Sequence, residues 1–150
     1  AIIDTAGNKL FDSLIRPIDR KRIPSEASRI HGITMKILEE APTYPEIVPT
    51  LNEILKGRNI ISYNAEYDGR LLNQTAKKTG CAPFTGQWHY AMRAYARFRG
   101  EWDHQKNDYR WHKLQAGDHS AFGDCRATLK IIEEMAGARP LRRWYEFWIH

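Results

Sequence analysis

Two acidic residues stand where side chains could do chemistry. The apolar run "NIIS" leads through Tyr63 into Asn64, and Asp68 follows four residues later, where a helical pattern begins. Downstream, "HSAFGD" sets His119 five residues ahead of Asp124, again at the opening of a helical pattern. A carboxylate in the first turn of a helix commonly does no more than offset the positive end of the helix dipole, about 0.3–1 kcal/mol. In α/β proteins, however, helix N-termini and the carboxyl ends of strands meet at one rim, and ligands gather there. The two settings occur together in one small chain, with "HGIT" upstream, and dipole compensation alone does not account for that.

The elements that must position these residues follow from local patterns. "TYPEIVPTLNEILKG" predicts a helix: Thr43 and Glu46 have capping-box spacing, Pro45 falls in the first turn and Gly57 suits the position after the end. Ile47, Val48, Leu51, Ile54 and Leu55 share its apolar face, while Pro49 removes one backbone donor and predicts a kink. "NIISY" is short and apolar on both faces, as in a parallel strand covered by helices on each side. Asn64 is the expected cap of a helix running to about Thr79 and closed by Gly80, with Leu71, Leu72 and Ala76 inward. The last helix is expected from about Ser120 to Ala136, with Ala121, Cys125, Leu129, Ile132 and Met135 as its stripe.

At the front, "AIIDTAGNKLFDSLIRP" reads as strand, turn and strand, with turn chemistry from Asp4 to Asn8 and a stop at Pro17. Ile18 to Pro42 reads as basic and irregular, apart from a short helix after Thr34. "MRAYARFRGEW" has helical character, and "DHQKNDYRWHKLQAGD" has the composition of a loop. The order strand, strand, helix, strand, helix, helix argues for an α/β fold, a mixed sheet with helices on both faces.

Composition bounds the rest. A chain of 150 residues, 42% hydrophobic and 11% aromatic, fits a single soluble domain, 1–150. No apolar run approaches the ~20 residues of a membrane span, and the first residues do not read as a signal peptide. Cys81 and Cys125 are not spaced as zinc ligands and are too few for a disulfide framework, so a reducing, cytoplasmic compartment is the expectation. A net charge of +5 is compatible with a polyanionic partner.

In order, "IHGIT", "APTYPEIVPTLNEIL", "SYNAEYDGRLL" and "HSAFGDCRATL" resemble the DEDDh 3′–5′ exonuclease superfamily, from Ala1 to about Ala136. Its members include the proofreading subunit of bacterial replicative DNA polymerase, ribonuclease T and oligoribonuclease. The family's Asn–x–x–aromatic–Asp motif is met by Asn64, Tyr67 and Asp68, and its His–x–x–x–x–Asp motif by His119 and Asp124. The resemblance implies a ribonuclease H-like fold and hydrolysis of the terminal phosphodiester of DNA or RNA, assisted by two Mg²⁺ or Mn²⁺ ions. Asp68 and Asp124 would be the carboxylate ligands and His119 the general base, roles that suit hard cations and a group titrating near neutrality. Asn64 and Tyr67 would flank the substrate, and His31, Gly32, Ile33 and Thr34 would line the cleft near the terminal nucleotide of a single-stranded or 3′-terminal nucleic acid.

One family feature is missing. The first two carboxylates come as Asp–x–Glu on the first, central strand, and no such motif is present. "IIDTAG" offers Asp4 but has Ala6 at the Glu position, and Gly7 and Asn8 behind it favour a turn. Asp12 and Glu26 lie past that turn. The first central strand is therefore expected outside this chain, upstream of Ala1, with a homodimer or a partner chain filling the slot if the chain folds as it stands. With two of four carboxylates, these residues are expected to bind Mg²⁺ poorly and hydrolyse little by themselves.

Other residues leave alternatives open. Tyr95, Phe98, Trp102, Tyr109 and Trp111 interleave with Arg93, Arg97, Arg99, Arg110 and Lys113, the pattern of a surface that stacks bases and binds phosphates. Packed aromatics with snorkelling arginines give the same pattern. His89, His104 and His112 lack ligand spacing. Beside the exonuclease stand a non-catalytic nucleic-acid-binding module on a degenerate version of the fold, and a protein-binding module using the aromatic tail of Trp144, Tyr145, Phe147 and Trp148.

Overall fold

A computed structural model describes residues 1–19, 23–115 and 120–137. His119 and the aromatic tail after residue 137 lie outside the described residues. Six strands and six helices follow in chain order among those described: β1 (Ile2–Ile3), β2 (Lys9–Phe11), α1 (Ser25–His31), α2 (Met35–Glu39), α3 (Tyr44–Leu55), β3 (Asn59–Ser62), α4 (Ala65–Thr79), β4 (Gln87–Tyr90), α5 (Ala91–Arg99), β5 (Trp102–Asp103), β6 (Asp108–Tyr109) and α6 (Ala121–Gly137). The composition of elements is mixed α/β. None of the described helices is long and apolar enough to cross a membrane.

The front hairpin forms as its turn chemistry predicts. Asp4 Oδ1 accepts from the N–H groups of Ala6 and Asn8, both at 2.9 Å, and Oδ2 accepts from Asn8 Nδ2 at 2.9 Å. This closes β1 antiparallel onto β2. β3 pairs in parallel with β4, in register from Asn59 opposite Gln87 to Ser62 opposite Tyr90, with α4 as the crossover. β5 and β6 form a third, antiparallel pair.

The described strands therefore form three separate two-stranded sheets rather than the single mixed sheet expected from the element order. β1–β2 and β3–β4 do not hydrogen-bond to each other, which leaves unpaired strand edges on both. β3 is parallel, as its apolar run predicts, but it is not covered on both faces, since Ile61 remains 37% exposed.

The core lies between helices and hairpin. Tyr44, Ile47 and Leu51 of α3 bury against Ala76 of α4, with Ile2, Phe11, Ile15, Leu72 and Cys81 packed around them. These three are the i, i+3, i+7 positions of one helical face. The predicted cap holds α3 in place: Glu46 Oε2 accepts from the Thr43 N–H at 2.5 Å and from its hydroxyl at 2.7 Å. Pro49 lies inside α3 without ending it. On α4, Leu72 and Ala76 turn inward as expected, but Leu71 does not, being 49% exposed.

One helix departs from the irregular reading of Ile18 to Pro42, one strand forms where the sequence shows no clear pattern, and β5 and β6 fall largely in the stretch with the composition of a loop. Ser25–His31 is helical, ended by Gly32 in the left-handed conformation at φ 71°, and it buries no residue, so it leaves no apolar stripe to detect. Gln87–Tyr90 is a strand whose partner, β3, lies far back in the sequence.

Candidate active site

The Asp68 site is built at the junction of β3 and α4. Asn64 Oδ1 accepts from the Tyr67 N–H at 3.3 Å, which caps α4 and places Glu66 and Asp68 in its first turn. The two acids then go separate ways. Glu66 pairs outward with Arg93 of α5 at 3.6 Å, whereas Asp68 turns back toward the strand and accepts a hydrogen bond from the Ser62 hydroxyl. Asp68 is half-buried and held at the carboxyl end of β3.

Asp124 has the matching setting on α6. Ser120 Oγ accepts from the Gly123 N–H at 2.9 Å, and the Asp124 N–H bonds to the Ser120 carbonyl at 3.0 Å, so Asp124 stands exposed in the first turn. The start of α6 lies against the front hairpin: Lys9 Nζ sits 4.5 Å from the centre of the Phe122 ring, and Cys125 Sγ donates to the Ala1 carbonyl at 3.4 Å. Burial pushes the Cys125 thiol up, and the carboxylates of Asp124, Asp12 and Asp68 add to the rise against the opposing charge of the Ala1 amine. Asp12 is engaged by Lys9 Nζ at 2.9 Å.

Carboxylate oxygens are the donors hard divalent cations take, so Asp68 and Asp124 fit such an ion in kind. In number they fall short, because the described residues contain no group of three or more His, Cys, Asp or Glu arranged to hold a metal. His119 is outside the described residues.

The other predicted site residues fall into two places. His31 Nδ1 accepts from the Ile33 N–H at 3.0 Å, which leaves the ring proton on Nε2. Thr34 Oγ1 accepts from the Ile37 N–H at 3.4 Å and caps α2. His31 to Thr34 therefore form a self-bonded connection between α1 and α2, and among the described residues no hydrogen bond or ion pair joins it to Asp68 or Asp124. Tyr67 stays beside Asp68, half exposed, with the Arg70 guanidinium 5.7 Å from its ring centre.

Sequence reasoning missed the surroundings supplied by β4 and α5. Arg93 bridges Glu66 and lies 4.9 Å from the ring centre of Tyr90, and the Tyr63 carbonyl accepts from the Met92 N–H at 3.0 Å. Tyr63 also donates its hydroxyl to the His112 carbonyl, tying the turn before Asp68 to a segment 49 residues away. The available signal was the short aromatic run "QWHY" running directly into "AMRAYARF".

Asp68 and Asp124 thus each stand in the first turn of a helix, Asp68 also at the end of a parallel strand. A family model described as Exonuclease, that of the RNase T family, matches residues 1–132, and the chain belongs to this family of exonucleases. It is similar to the uncharacterized exonuclease CP81 of Escherichia phage 186, 37% identical over 152 residues, with 90% of this chain and 77% of that protein covered. It is also similar to the DNA polymerase III subunit epsilon of Treponema pallidum, 33% identical over 134 residues, covering 83% of this chain and 60% of that one. RNA exonuclease 4 of Gibberella zeae is 21% identical over 147 residues, covering 92% of this chain and 42% of that protein.

Proposed function

We propose that this domain is a 3′–5′ exonuclease that hydrolyses the terminal phosphodiester of DNA or RNA with the help of two Mg²⁺ or Mn²⁺ ions. The observation that carries the reading is Asp68, drawn away from the outward pairing of Glu66 and held by Ser62 at the end of a parallel strand. A carboxylate that served only the helix dipole would need no such tether. Asp68 and Asp124 are the carboxylate ligands. When bound, the ions supply Lewis acidity that steadies the attacking and leaving oxygens of an in-line displacement. His119 takes the proton of the attacking water, a task suited to a neutral imidazole. Asn64 fixes the turn that presents Asp68, Tyr67 offers a ring to the terminal base, and His31, Gly32, Ile33 and Thr34 line the far side of the cleft. Relatives named for RNA and for DNA both support a nucleic-acid substrate, with the sugar left open.

The same reading takes the fold as ribonuclease H-like, with one further strand carrying Asp–x–Glu seated between β1 and β3. The separate β1–β2 and β3–β4 pairs and the half-bare Ile61 support that seat. By this account residues 1–150 alone hold divalent ions weakly and turn over slowly. The absence of a three-donor group among the described residues equally suits a non-catalytic nucleic-acid-binding module, and one experiment separates the two. A 5′-labelled oligonucleotide is incubated with Mn²⁺ and the chain, with and without a synthetic strand bearing Asp–x–Glu. A ladder shortening from the 3′ end, stronger with the strand and lost in Asp124→Asn, is the expected result. Binding without shortening in either arm would overturn the enzyme in favour of the binder.

A further inference from the structure

The hydrolysis just described makes no use of the ribbon formed by β5 and β6. Trp102 is paired with Tyr109 across it, and the Arg110 N–H donates to the Glu101 carbonyl at 2.7 Å, extending the ladder by one rung. Side chains alternate across a ribbon, so Trp102 and Tyr109 belong to one face, with Glu101 and Arg110 on the other, and Trp111 follows two residues past the end of β6. On the aromatic face, Trp102 and Tyr109 meet edge to face with ring centres 5.2 Å apart. Even so, Trp102 is 44% and Trp111 52% exposed. The core between α3 and α4 does not include them.

Charge says what such a face would receive. Between Arg97 and Lys113 five cationic side chains stand against three acidic ones. Glu101 is already engaged, by Arg99 at 3.4 Å and Arg110 at 3.9 Å. Arg97, Lys106 and Lys113 are exposed and have no ion pair among the described residues. Asp103 and Asp108 likewise have no ion pair among the described residues, so the segment keeps a net positive charge from its five cationic and three acidic side chains.

Position ties the ribbon to the acidic rim. The chain leaving β6 runs to His112, whose carbonyl takes the hydroxyl of Tyr63, and Tyr63 directly precedes the Asn64 cap that presents Asp68. The ring of His112 lies edge-on to Tyr95 of α5, with centres 5.7 Å apart.

We propose that the aromatic face of the β5–β6 ribbon is a stacking platform for single-stranded polynucleotide, holding the nucleotides that lead to the end presented at Asp68. Its position deepens the exonuclease reading and rests on it, whereas its binding chemistry does not. Stacking on an indole is open to any base, and cations beside it take the phosphates, so the platform is indifferent to sequence. A paired duplex has no free base faces to offer, so the platform selects single strands.

The test is fluorescence anisotropy of the full chain with labelled oligodeoxythymidylate and with a blunt duplex, in chelator, so that no turnover is needed. Trp111→Ala is expected to weaken single-strand binding between about 5- and 150-fold, with Trp111→Phe retaining most of it and duplex binding unchanged. Lys113→Gln is expected to lower the slope of log affinity against log salt by about 0.7, the value for one phosphate contact on a single strand. Trp111 is chosen over Trp102 because removing Trp102 strips Tyr109 of its ring partner and endangers the ribbon itself. Unchanged single-strand affinity in both Trp111→Ala and Lys113→Gln overturns the platform, whatever the hydrolysis assay gives. Loss of affinity as stated, in a chain that never shortens an oligonucleotide, upholds the platform and removes only the exonuclease.

Discussion

The hydroxyl of Ser62, the last residue of β3, donates a hydrogen bond to the carboxylate of Asp68, in the first turn of α4. Strand end and helix start are joined by this bond as well as by the covalent turn. It sets which way the Asp68 oxygens point, which a cap at Asn64 alone does not do. Ser62→Ala is expected to lower divalent-ion affinity about 10- to 100-fold, as removal of a group supporting a ligand typically does. The fold should lose only about 1 kcal/mol, the net worth of one such bond. Calorimetric Mn²⁺ titration and urea unfolding of the same variant read the two effects separately. Equal ion affinity in Ser62→Ala and the parent would show that the tether has no part in ligand placement.

Asp68→Asn and Asp124→Asn separate a ligand from a dipole-compensating charge. Both changes keep shape and remove charge, so a purely structural carboxylate would give up about 0.3–1 kcal/mol of stability and nothing else. A ligand contributes several kcal/mol of charge stabilisation to the displacement, so hydrolysis should fall at least about 100-fold in each variant. The expected pattern is a small shift in unfolding midpoint with a large loss of oligonucleotide shortening, measured in the presence of the Asp–x–Glu strand.

Local chemistry made some of this legible and distant pairing hid the rest. Asn64, Thr43 with Glu46, and Gly80 each act within a few residues of themselves, so cap and stop are written where they operate. Asp68 and Asp124 sit in first turns that local patterns also mark, each behind a side chain that accepts from a nearby backbone N–H. β4 is hard to see in sequence, since four residues are too few to show a period and the aromatic "QWHY" becomes a strand only against its distant partner β3. The ribbon from Asp103 onward reads as loop, and "DHQKND" is indeed a turn: Asp103 Oδ1 accepts from the N–H of Gln105 at 3.0 Å, and Asn107 takes a positive φ of 51°. The strands on either side are two residues each and too short to show alternation. The basic surface was legible only as a composition. Arg97 and Arg99 read alike in sequence, but Arg99 is engaged by Glu101 and Arg97 is not paired among the described residues.

Leu51 and Leu71 test the packing. Leu51 is buried on α3 beside Tyr44 and Ile47, and Leu71 on α4 is half exposed. Leu51→Ala is expected to cost about 2–5 kcal/mol through lost burial and the cavity left behind. Leu71→Ala should stay within about 0.5 kcal/mol of the parent. Urea midpoints at constant m-value check both. A large loss at Leu71 would point to a face covered by something beyond the described residues.

The acid limb of the stability curve should report the α3 cap. Glu46 is held below its ordinary range chiefly by the hydrogen bond with the Thr43 side chain, then by the Thr43 N–H, with Arg16 adding a smaller pull. Its folded pKa is therefore lower than its unfolded one, near 4.5. The sign follows from proton binding. As pH drops past the unfolded value, the unfolded chain takes up the proton first and gains stability relative to the folded one. The contribution of Glu46 is thus fully present above about pH 4.5, and it is lost as pH falls through the folded pKa. Glu46→Gln keeps an acceptor for Thr43 but cannot titrate, so its unfolding midpoint should fall less steeply below pH 4.5 than the parent's. High salt should leave most of the difference, because a short-range hydrogen bond and not the exposed Arg16 pair, 3.9 Å apart, is its main source. Parallel acid limbs for Glu46→Gln and the parent would mean that the cap is already open before Glu46 titrates.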